Sequence, residues 1–177
     1  MLIDDFSDSE GISALGTRWQ GFTDRVMGGL SDIQAGYASQ DEQTVLVMRG
    51  QVRLENNGGF VQVRLPLEAN GGNFDASQFD AIRIRGRAVN SGSYYLHLRT
   101  ADTRRPWSYY RAALEFGQEW TTLELPLATF QPRSLDAPLD VTHLRSLAVV
   151  AYGEAFEAHV QISRIEWVRQ GEGESDG

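Results

Sequence analysis

Apolar and polar residues alternate over short stretches along most of the chain. In AIRIRGRA (81–88) isoleucines alternate with arginines, and FVQVRL (60–65) and YYLHLRT (94–100) show the same period of two. Successive side chains of an extended strand point to opposite faces, so this alternation is typical of strands that bury one face. Further stretches of this kind are QTVLVMRG (43–50), YYRAALEF (109–116), WTTLELPL (120–127), LRSLAVVAY (144–152) and HVQISRIEWV (159–168).

The spacing of these stretches predicts about ten short strands in an all-β sandwich or barrel. Asn and Gly readily adopt the positive φ of tight turns, so ENNGGF (55–60) is predicted to be a hairpin turn between two strands. Helical signals are sparse. The best of them is a short helix around Ala137 to Arg145, where an Asp precedes an apolar-spaced run.

The chain has 177 residues, enough for one substantial core, and we expect a single domain over residues 1–169. Residues 170–177 carry no apolar anchor and are expected to form a flexible C-terminal tail. The first residues lack the features of a secretory signal and the chain has no cysteine, which favours a cytoplasmic location. No apolar run is long enough to span a membrane, so no membrane insertion is expected. A formal net charge of -8 argues against nucleic acid as a partner, because it repels polyanions.

The sequence offers no recognisable catalytic or metal-binding motif. GGLSDI (28–33) has isoleucine where a nucleophile elbow requires glycine, and His97, His143 and His159 lie in different predicted elements. The acidic stretch DDFSDSEG (4–11) departs from an EF-hand calcium loop at several positions. We therefore predict a protein that is not an enzyme and uses neither cofactor nor metal, while a structural calcium near the N-terminus stays open as an alternative. A convergence of strand glutamates into an acid/base pair stays open as an alternative.

The stretch DRVMGGLS (24–31) has two interpretations. Its double glycine lets the backbone adopt a positive φ, while Asp24 and Ser31 can hydrogen-bond turn amides and Arg25 can pair with a carboxylate. It lacks the Lys-Ser/Thr pair of a phosphate-binding loop. A demanding structural turn is favoured over a ligand-binding loop.

Two motifs, DRVMGG-x-S and ENNGGF, followed in order by the later strands quoted above, resemble the complex I intermediate-associated protein 30 family from about Asp4 to Val168. The resemblance implies a galactose-binding-like jelly-roll sandwich of two antiparallel sheets, with Trp19 and Phe22 at the edge of the core. It also implies a non-catalytic assembly factor for respiratory complex I (NADH:ubiquinone oxidoreductase), the role of the mitochondrial members. The motif residues are Trp19, Asp24, Arg25, Gly28, Gly29, Ser31, Asn56, Asn57, Gly58 and Gly59.

The polar faces of successive strands concentrate arginine and aromatic side chains in an otherwise acidic chain. Gln62 and Arg64 belong to this series, and the loop TADTRRPWSYY (100–110) adds a tryptophan beside two arginines. If the strands share one sheet, these side chains form a continuous positive patch with Trp107 at its rim. The predicted binding residues are Arg83, Arg85, Tyr95, His97, Arg99, Arg105, Trp107, Tyr109 and Arg111.

Two classes of function remain open. One is a chaperone-like assembly partner that binds a protein, such as a respiratory-complex subunit or an assembly intermediate. The other is a carbohydrate-binding module that stacks aromatic rings on a sugar at its concave face or loop end.

Overall fold

The computed structural model describes residues 1–27, 31–40, 42–55 and 59–169, and within these ranges twelve strands form two sheets of six strands each. In chain order the strands are β1 (Leu2–Asp4), β2 (Gln20–Thr23), β3 (Gln34–Gln40), β4 (Gln43–Val52), β5 (Phe60–Pro66), β6 (Ala81–Asn90), β7 (Tyr94–Thr100), β8 (Tyr109–Ala113), β9 (Thr121–Pro126), β10 (Gln131–Arg133), β11 (Leu144–Tyr152) and β12 (Phe156–Val168). Short 3-10 helices lie at Asp24–Met27, Ala69–Gly71 and Leu127–Thr129.

Sheet I has the order β3-β4-β12-β6-β9, with β1 also pairing with β12, and sheet II has the order β10-β8-β7-β11-β5-β2. All strand pairs are antiparallel. The prediction of an all-β sandwich of two antiparallel sheets is confirmed. In the ranges described above, no helix is long and apolar enough to cross a membrane.

The core lies between the inner faces of the two sheets, where the apolar members of the alternating stretches meet. Ile82 and Ile84 of β6, Leu96 and Leu98 of β7, and Trp167 of β12 have no exposed surface. Burying a side chain of this size stabilises the fold by roughly 1.5–3 kcal/mol relative to leaving it exposed. The polar members of each stretch are left on the two outer faces, which are the surfaces available for binding.

The predicted helix around Ala137 to Arg145 is wrong. A turn occupies residues 141–142, and β11 begins at Leu144. The Asp140 carboxylate accepts hydrogen bonds from the amide of Thr142 at 3.0 Å and from its hydroxyl at 2.6 Å. Because a short polar side chain that bonds the backbone two residues on favours a turn, this Asp stabilises a turn where the sequence suggested a helix cap.

The predicted hairpin at ENNGGF is also wrong, because the flanking strands belong to different sheets. β4 pairs with β3 and β12 in sheet I, whereas β5 pairs with β11 and β2 in sheet II. The connection therefore crosses between the sheets. Residues 56–58 of this motif lie outside the described part of the chain, as do Gly28 and Gly29 of the other motif and the predicted tail 170–177.

The Asp24 carboxylate joins the two sequence motifs in space. It is fully buried directly after β2 and accepts hydrogen bonds from the amide of Ser31, at 2.9 Å, and from the Ser31 hydroxyl. It also accepts hydrogen bonds from the backbone amides of Gly59 and Phe60. Gly59 has a φ of 132°, a conformation that favours glycine. The DRVMGG and ENNGGF motifs thus form the two sides of one structural contact.

The other described residues of the DRVMGG region support the same contact. The Ser31 hydroxyl oxygen accepts a hydrogen bond from the amide of Arg53 at 2.8 Å. Arg25 donates from Nε to the Ser31 carbonyl at 2.9 Å and forms an exposed ion pair with Asp32. Trp19 donates from its indole nitrogen to the Asp4 carboxylate at 2.9 Å. Ser31 and Arg25 thus hold the turn together, whereas Trp19 connects the chain before β2 to the end of β1.

We expect Asp24→Asn to lower the free energy of unfolding by about 1–3 kcal/mol at neutral pH, because it leaves buried donors without an acceptor. Burial raises the pKa of Asp24, but the hydrogen bonds from Ser31, Gly59 and Phe60 outweigh burial and lower it. Ionised Asp24 therefore stabilises the native state above its unfolded pKa of about 3.9, and this contribution is lost as the pH falls below that value.

Urea unfolding at neutral pH and at about pH 3 measures both effects. The free energies of unfolding of Asp24→Asn and of the unchanged protein should differ less at about pH 3 than at neutral pH. Asp32→Asn is the control, because it removes an exposed ion pair and should cost less than about 1 kcal/mol. Equal unfolding free energies for the two variants at neutral pH would contradict the structural role of Asp24.

Candidate binding site

The outer face of sheet II carries a cleft of about 390 Å³. Its floor is the central strand β11, which contributes the short side chains of Ser146, Ala148 and Val150. Longer side chains rise on both sides from β5 and β7, and the loop 101–108 closes one end. A pocket of this size lies within the range that binds small molecules or a few side chains of a larger partner.

Strand register places the polar side chains of the cleft in one row across the sheet. Arg64 of β5 is opposite Ala148 of β11, Ala148 is opposite His97 of β7, and His97 is opposite Arg111 of β8. Residues that pair across neighbouring strands project from the same face. Ala148 is therefore a small residue between two long polar ones, and it lies only 3% exposed at the floor of the cleft.

Aromatic rings fix the orientation of the polar groups. The Arg64 guanidinium lies 5.0 Å from the ring centre of Phe22, and the His97 ring stacks on Tyr109 with centroids 3.9 Å apart. Arg111 lies 4.4 Å from the ring centre of Tyr95. Such cation–π and stacking contacts are each worth about 0.5–1.5 kcal/mol, enough to hold a preferred orientation.

Arg99 holds the loop at the end of the cleft. Its guanidinium donates four hydrogen bonds of 2.9–3.0 Å to the backbone carbonyls of Thr103, Arg105, Pro106 and Ser108. Trp107 is carried by this loop and remains 51% exposed at the rim, with the Arg105 guanidinium 5.9 Å from its ring centre. Trp107 is thus presented to solvent by a loop whose backbone is fixed.

The cleft is positively charged. Its described lining residues include Arg64, Arg99 and Arg133 but neither Asp nor Glu. Across residues 1–27, 31–40, 42–55 and 59–169, none of these three guanidinium groups forms an ion pair. Burial lowers the pKa of Arg64, and burial together with the Arg64 and Arg145 charges lowers the pKa of Arg99 to about 10. Arg99 is therefore still charged at neutral pH.

Two buried nitrogen atoms in the cleft lack hydrogen-bond partners among the described residues, Arg64 Nε and His97 Nε2. Burial, and then the charges of Arg111, Arg64 and Arg99, lower the pKa of His97 to about 3. His97 is therefore neutral at physiological pH. Buried polar atoms are normally paired, so these two nitrogens are exceptions in this part of the sheet.

Sheet II brings together Tyr95, His97, Arg99, Tyr109 and Arg111 of the predicted binding residues. Arg105 and Trp107 lie in the loop beside them. The predicted residues from β7, β8 and their connecting loop thus share one surface. Whether that surface binds a ligand stays a prediction.

The prediction of one continuous patch that includes Arg83 and Arg85 is wrong. β6 belongs to sheet I, so these side chains lie on the opposite side of the sandwich. Arg83 is buried, with Glu166 at 3.4 Å and Glu124 at 3.6 Å. Arg85 donates to Ser163 at 3.0 Å, and its guanidinium lies 4.7 Å from a ring centre of Trp120. Alternation predicts on which face of a strand each side chain lies, but it does not predict the sheet to which the strand belongs.

The sequence analysis missed several residues of the cleft. Phe22, expected at the edge of the core, lies on the outer face of sheet II beneath Arg64 because it is opposite Gln62. Tyr152 was not singled out, although it ends the alternation of Ser146, Ala148 and Val150 on β11. Arg133 reaches the cleft from β10, a strand of three residues that is too short to leave a periodic signal.

We expect Arg99→Lys to loosen the loop 101–108, because an ammonium group cannot reach four carbonyls that a planar guanidinium bridges. The exposed Arg104 is a trypsin site within this loop, and its cleavage should become several-fold faster. Mass spectrometry of the fragments measures the rate. Arg85→Lys on sheet I is the control, and an equal cleavage rate at Arg104 in both variants would contradict the role of Arg99.

We expect His97→Gln to reduce the loss of stability on mild acidification. The pKa of His97 is about 3 in the native state and about 6.5 when unfolded, so its effect on stability is absent above pH 6.5. Below that pH only the unfolded chain binds the proton, which lowers the free energy of unfolding by up to about 1.4 kcal/mol per pH unit.

Urea unfolding at about pH 7 and about pH 5 tests this difference. His143 and His159 are present in both proteins, so their contributions to stability cancel in the comparison. Parallel losses of stability in the variant and the unchanged protein would show that His97 is not kept neutral by its surroundings.

Comparison with known proteins agrees with this architecture. The sequence model of the complex I intermediate-associated protein 30 family matches residues 5–154. No curated protein matches the chain.

Several solved carbohydrate-binding modules share the fold. A family 11 module of a cellulosomal cellulase of Clostridium thermocellum has a TM-score of 0.74 at 13% identity, covering 96% of this chain and 94% of that chain. A family 11 module from the same organism, in complex with a β-1,3-1,4-mixed-linked tetrasaccharide, has a TM-score of 0.71 at 13% identity, covering 95% and 94%. A family 30 module of another C. thermocellum cellulosomal cellulase has a TM-score of 0.68 at 12% identity, covering 97% and 99%.

At these identities the likeness shows the fold alone, and it confirms the jelly-roll β-sandwich. The family model covers most of the domain, including both the DRVMGG and the ENNGGF motifs. The chain belongs to the complex I intermediate-associated protein 30 family.

Proposed function

We propose that this protein is a non-catalytic assembly partner that holds a segment of another protein in the cleft of sheet II. The observation that carries the proposal is the cleft itself, which combines arginines without ion pairs among the described residues with a fixed, exposed tryptophan. Tryptophan and arginine are the residues most often found at the energetic centres of protein interfaces.

Membership of the complex I intermediate-associated protein 30 family indicates the partner class. The family is named for association with intermediates of complex I, so the segment belongs to a complex I subunit or assembly intermediate. The predicted cytoplasmic location is compatible with this role. That prediction comes from the sequence, which has no cysteine that would suggest an oxidising compartment. The cleft supplies what a chaperone-like partner needs, namely charge, aromatic surface and a preformed shape.

A carbohydrate ligand is the second candidate. The aromatic rings of Phe22, Trp107, Tyr109 and Tyr152 line the cleft, and aromatic faces stack on sugar rings. The fold is shared with carbohydrate-binding modules, one of which was solved with a tetrasaccharide. Trp107 would serve either ligand, so the identity of what is bound decides between the two functions.

We expect Trp107→Ala to weaken capture of complex I subunits at least tenfold, a loss typical of a central aromatic anchor. The immobilised protein is incubated with an extract of the source organism, and quantitative mass spectrometry measures the bound subunits. Trp120→Ala is the matched control, because Trp120 lies against the sheet I arginines on the other side of the sandwich.

Capture of complex I subunits that is equal for both tryptophan variants would contradict the proposed site. Absence of these subunits, together with binding to a glycan array that Trp107→Ala abolishes, would favour the carbohydrate candidate. Thermal unfolding of both variants shows whether either substitution has disturbed the fold itself.

A further inference from the structure

Two unpaired nitrogen atoms, Arg64 Nε and His97 Nε2, belong to the residues beside Ala148 at the floor of the cleft. Ala148 lies on the floor between Arg64 and His97, and its side chain ends at a methyl group. Adjacent strands are about 4.8 Å apart, so the two flanking strands are separated by about 10 Å at this level of the sheet. Because Ala148 is only 3% exposed, a compact ligand group at this level displaces the outer end of a neighbouring side chain and then contacts both long side chains.

The two unpartnered atoms belong to the residues on either side of this position. Arg64 Nε and His97 Nε2 are buried and lack hydrogen-bond partners in the part of the chain that the structure describes. His97 is only 6% exposed, and the stack with Tyr109 fixes its ring. Arg64 is held over Phe22 and makes a long contact of 3.5 Å to the Gln62 side chain. Both nitrogens therefore lack a partner, and because they have almost no accessible surface, a ligand reaches them by shifting a side chain.

The charge around this position defines the class of ligand. Arg64 and Arg99 line the cleft on either side of β11, Arg111 stands next to His97 in the row, and Arg133 lines the same cleft. Ala148 from β11 and Tyr109 from β8 add no charge at neutral pH. Partly buried guanidinium groups without an anion are costly, and a bound carboxylate would offset that cost with charge-assisted hydrogen bonds.

We infer that the cleft binds a carboxylate above Ala148, which accepts hydrogen bonds from Arg64 Nε–H and His97 Nε2–H. This inference rests on the proposed function and makes the bound group the side chain of an Asp or Glu in the partner segment. His97 is neutral and so carries one ring proton, which this arrangement places on Nε2. Arg99 and Arg133 contribute positive electrostatic potential that attracts the carboxylate. Trp107 contacts the segment beyond the carboxylate.

The test uses glutamate capped as N-acetyl-glutamate amide, with N-acetyl-glutamine amide as its uncharged counterpart. Nuclear magnetic resonance follows the side-chain Nε–H signal of Arg64 and the imidazole signals of His97 during titration into the millimolar range. Capped glutamate should shift both sets of signals saturably. Capped glutamine should bind at least tenfold more weakly, and the Arg85 Nε–H signal on sheet I should not respond.

Two substitutions separate the hydrogen bonds from the net charge. Arg64→Lys keeps the positive charge but removes the Nε donor, and His97→Phe keeps a ring against Tyr109 but removes Nε2. Each should weaken binding of capped glutamate roughly tenfold, the loss expected for one hydrogen bond to a charged group. Arg85→Lys is the matched control and should leave the affinity unchanged. Thermal unfolding confirms that each variant is folded.

The outcomes separate this inference from the proposed function. Saturable binding of capped glutamate that both variants weaken supports the carboxylate site, even if no complex I subunit is captured and the assembly role fails. Capture of subunits that Arg64→Lys and His97→Phe leave intact, with no response to capped glutamate, overturns the inference and leaves the assembly role standing. A response to galacturonic acid but not to capped glutamate overturns the assignment of the carboxylate to a protein segment.

Discussion

The position of one end of the cleft in sheet II depends on the hydrogen bonds to the Asp24 carboxylate. A buried carboxylate is costly unless donors surround it, and here Ser31 contributes an amide and a hydroxyl while Gly59 and Phe60 contribute amides. Phe22 comes two residues before Asp24, and Phe60 begins β5. The contact that satisfies the charge therefore also sets the positions of two aromatic side chains that line the cleft.

The two outer faces of the sandwich use arginine in different ways. On sheet I, Arg83 is enclosed by glutamates, and Arg85 lies against Trp120 and bonds Ser163. On sheet II, Arg99 bonds backbone carbonyls and Arg64 lies over Phe22, so their charges are not cancelled by carboxylates of the described residues. A chain with a formal net charge of -8 thus keeps one positive concavity. Positive charge concentrated at one place on an acidic protein attracts negatively charged groups to that place.

Local patterns in the sequence predicted much of the fold and part of the site. The alternation in YYLHLRT correctly placed Leu96 and Leu98 in the core and His97 on the outer face, because it reflects the geometry of a single strand. The same alternation could not show that β6 and β7 belong to different sheets, since strand pairing depends on contacts distant in the sequence. For this reason the predicted patch joined arginines from opposite sides of the molecule. The position of Phe22 on the outer face was missed for a related reason, because Phe22 pairs with β5, about forty residues away in the sequence.

The cleft in sheet II is formed by differences in side-chain length along an almost continuous sheet. The central strand β11 forms the floor of the cleft because its outward-facing side chains, Ser146, Ala148 and Val150, are short. The longer side chains of β5 and β7 form the walls. The depth and chemistry of such a groove are determined by a few outward-facing positions that contribute nothing to the buried core. Single substitutions on β11 and its neighbours can therefore change the shape and charge of this surface and leave the backbone unchanged. Proteins with this architecture can accordingly diverge in what they bind long before they diverge in shape.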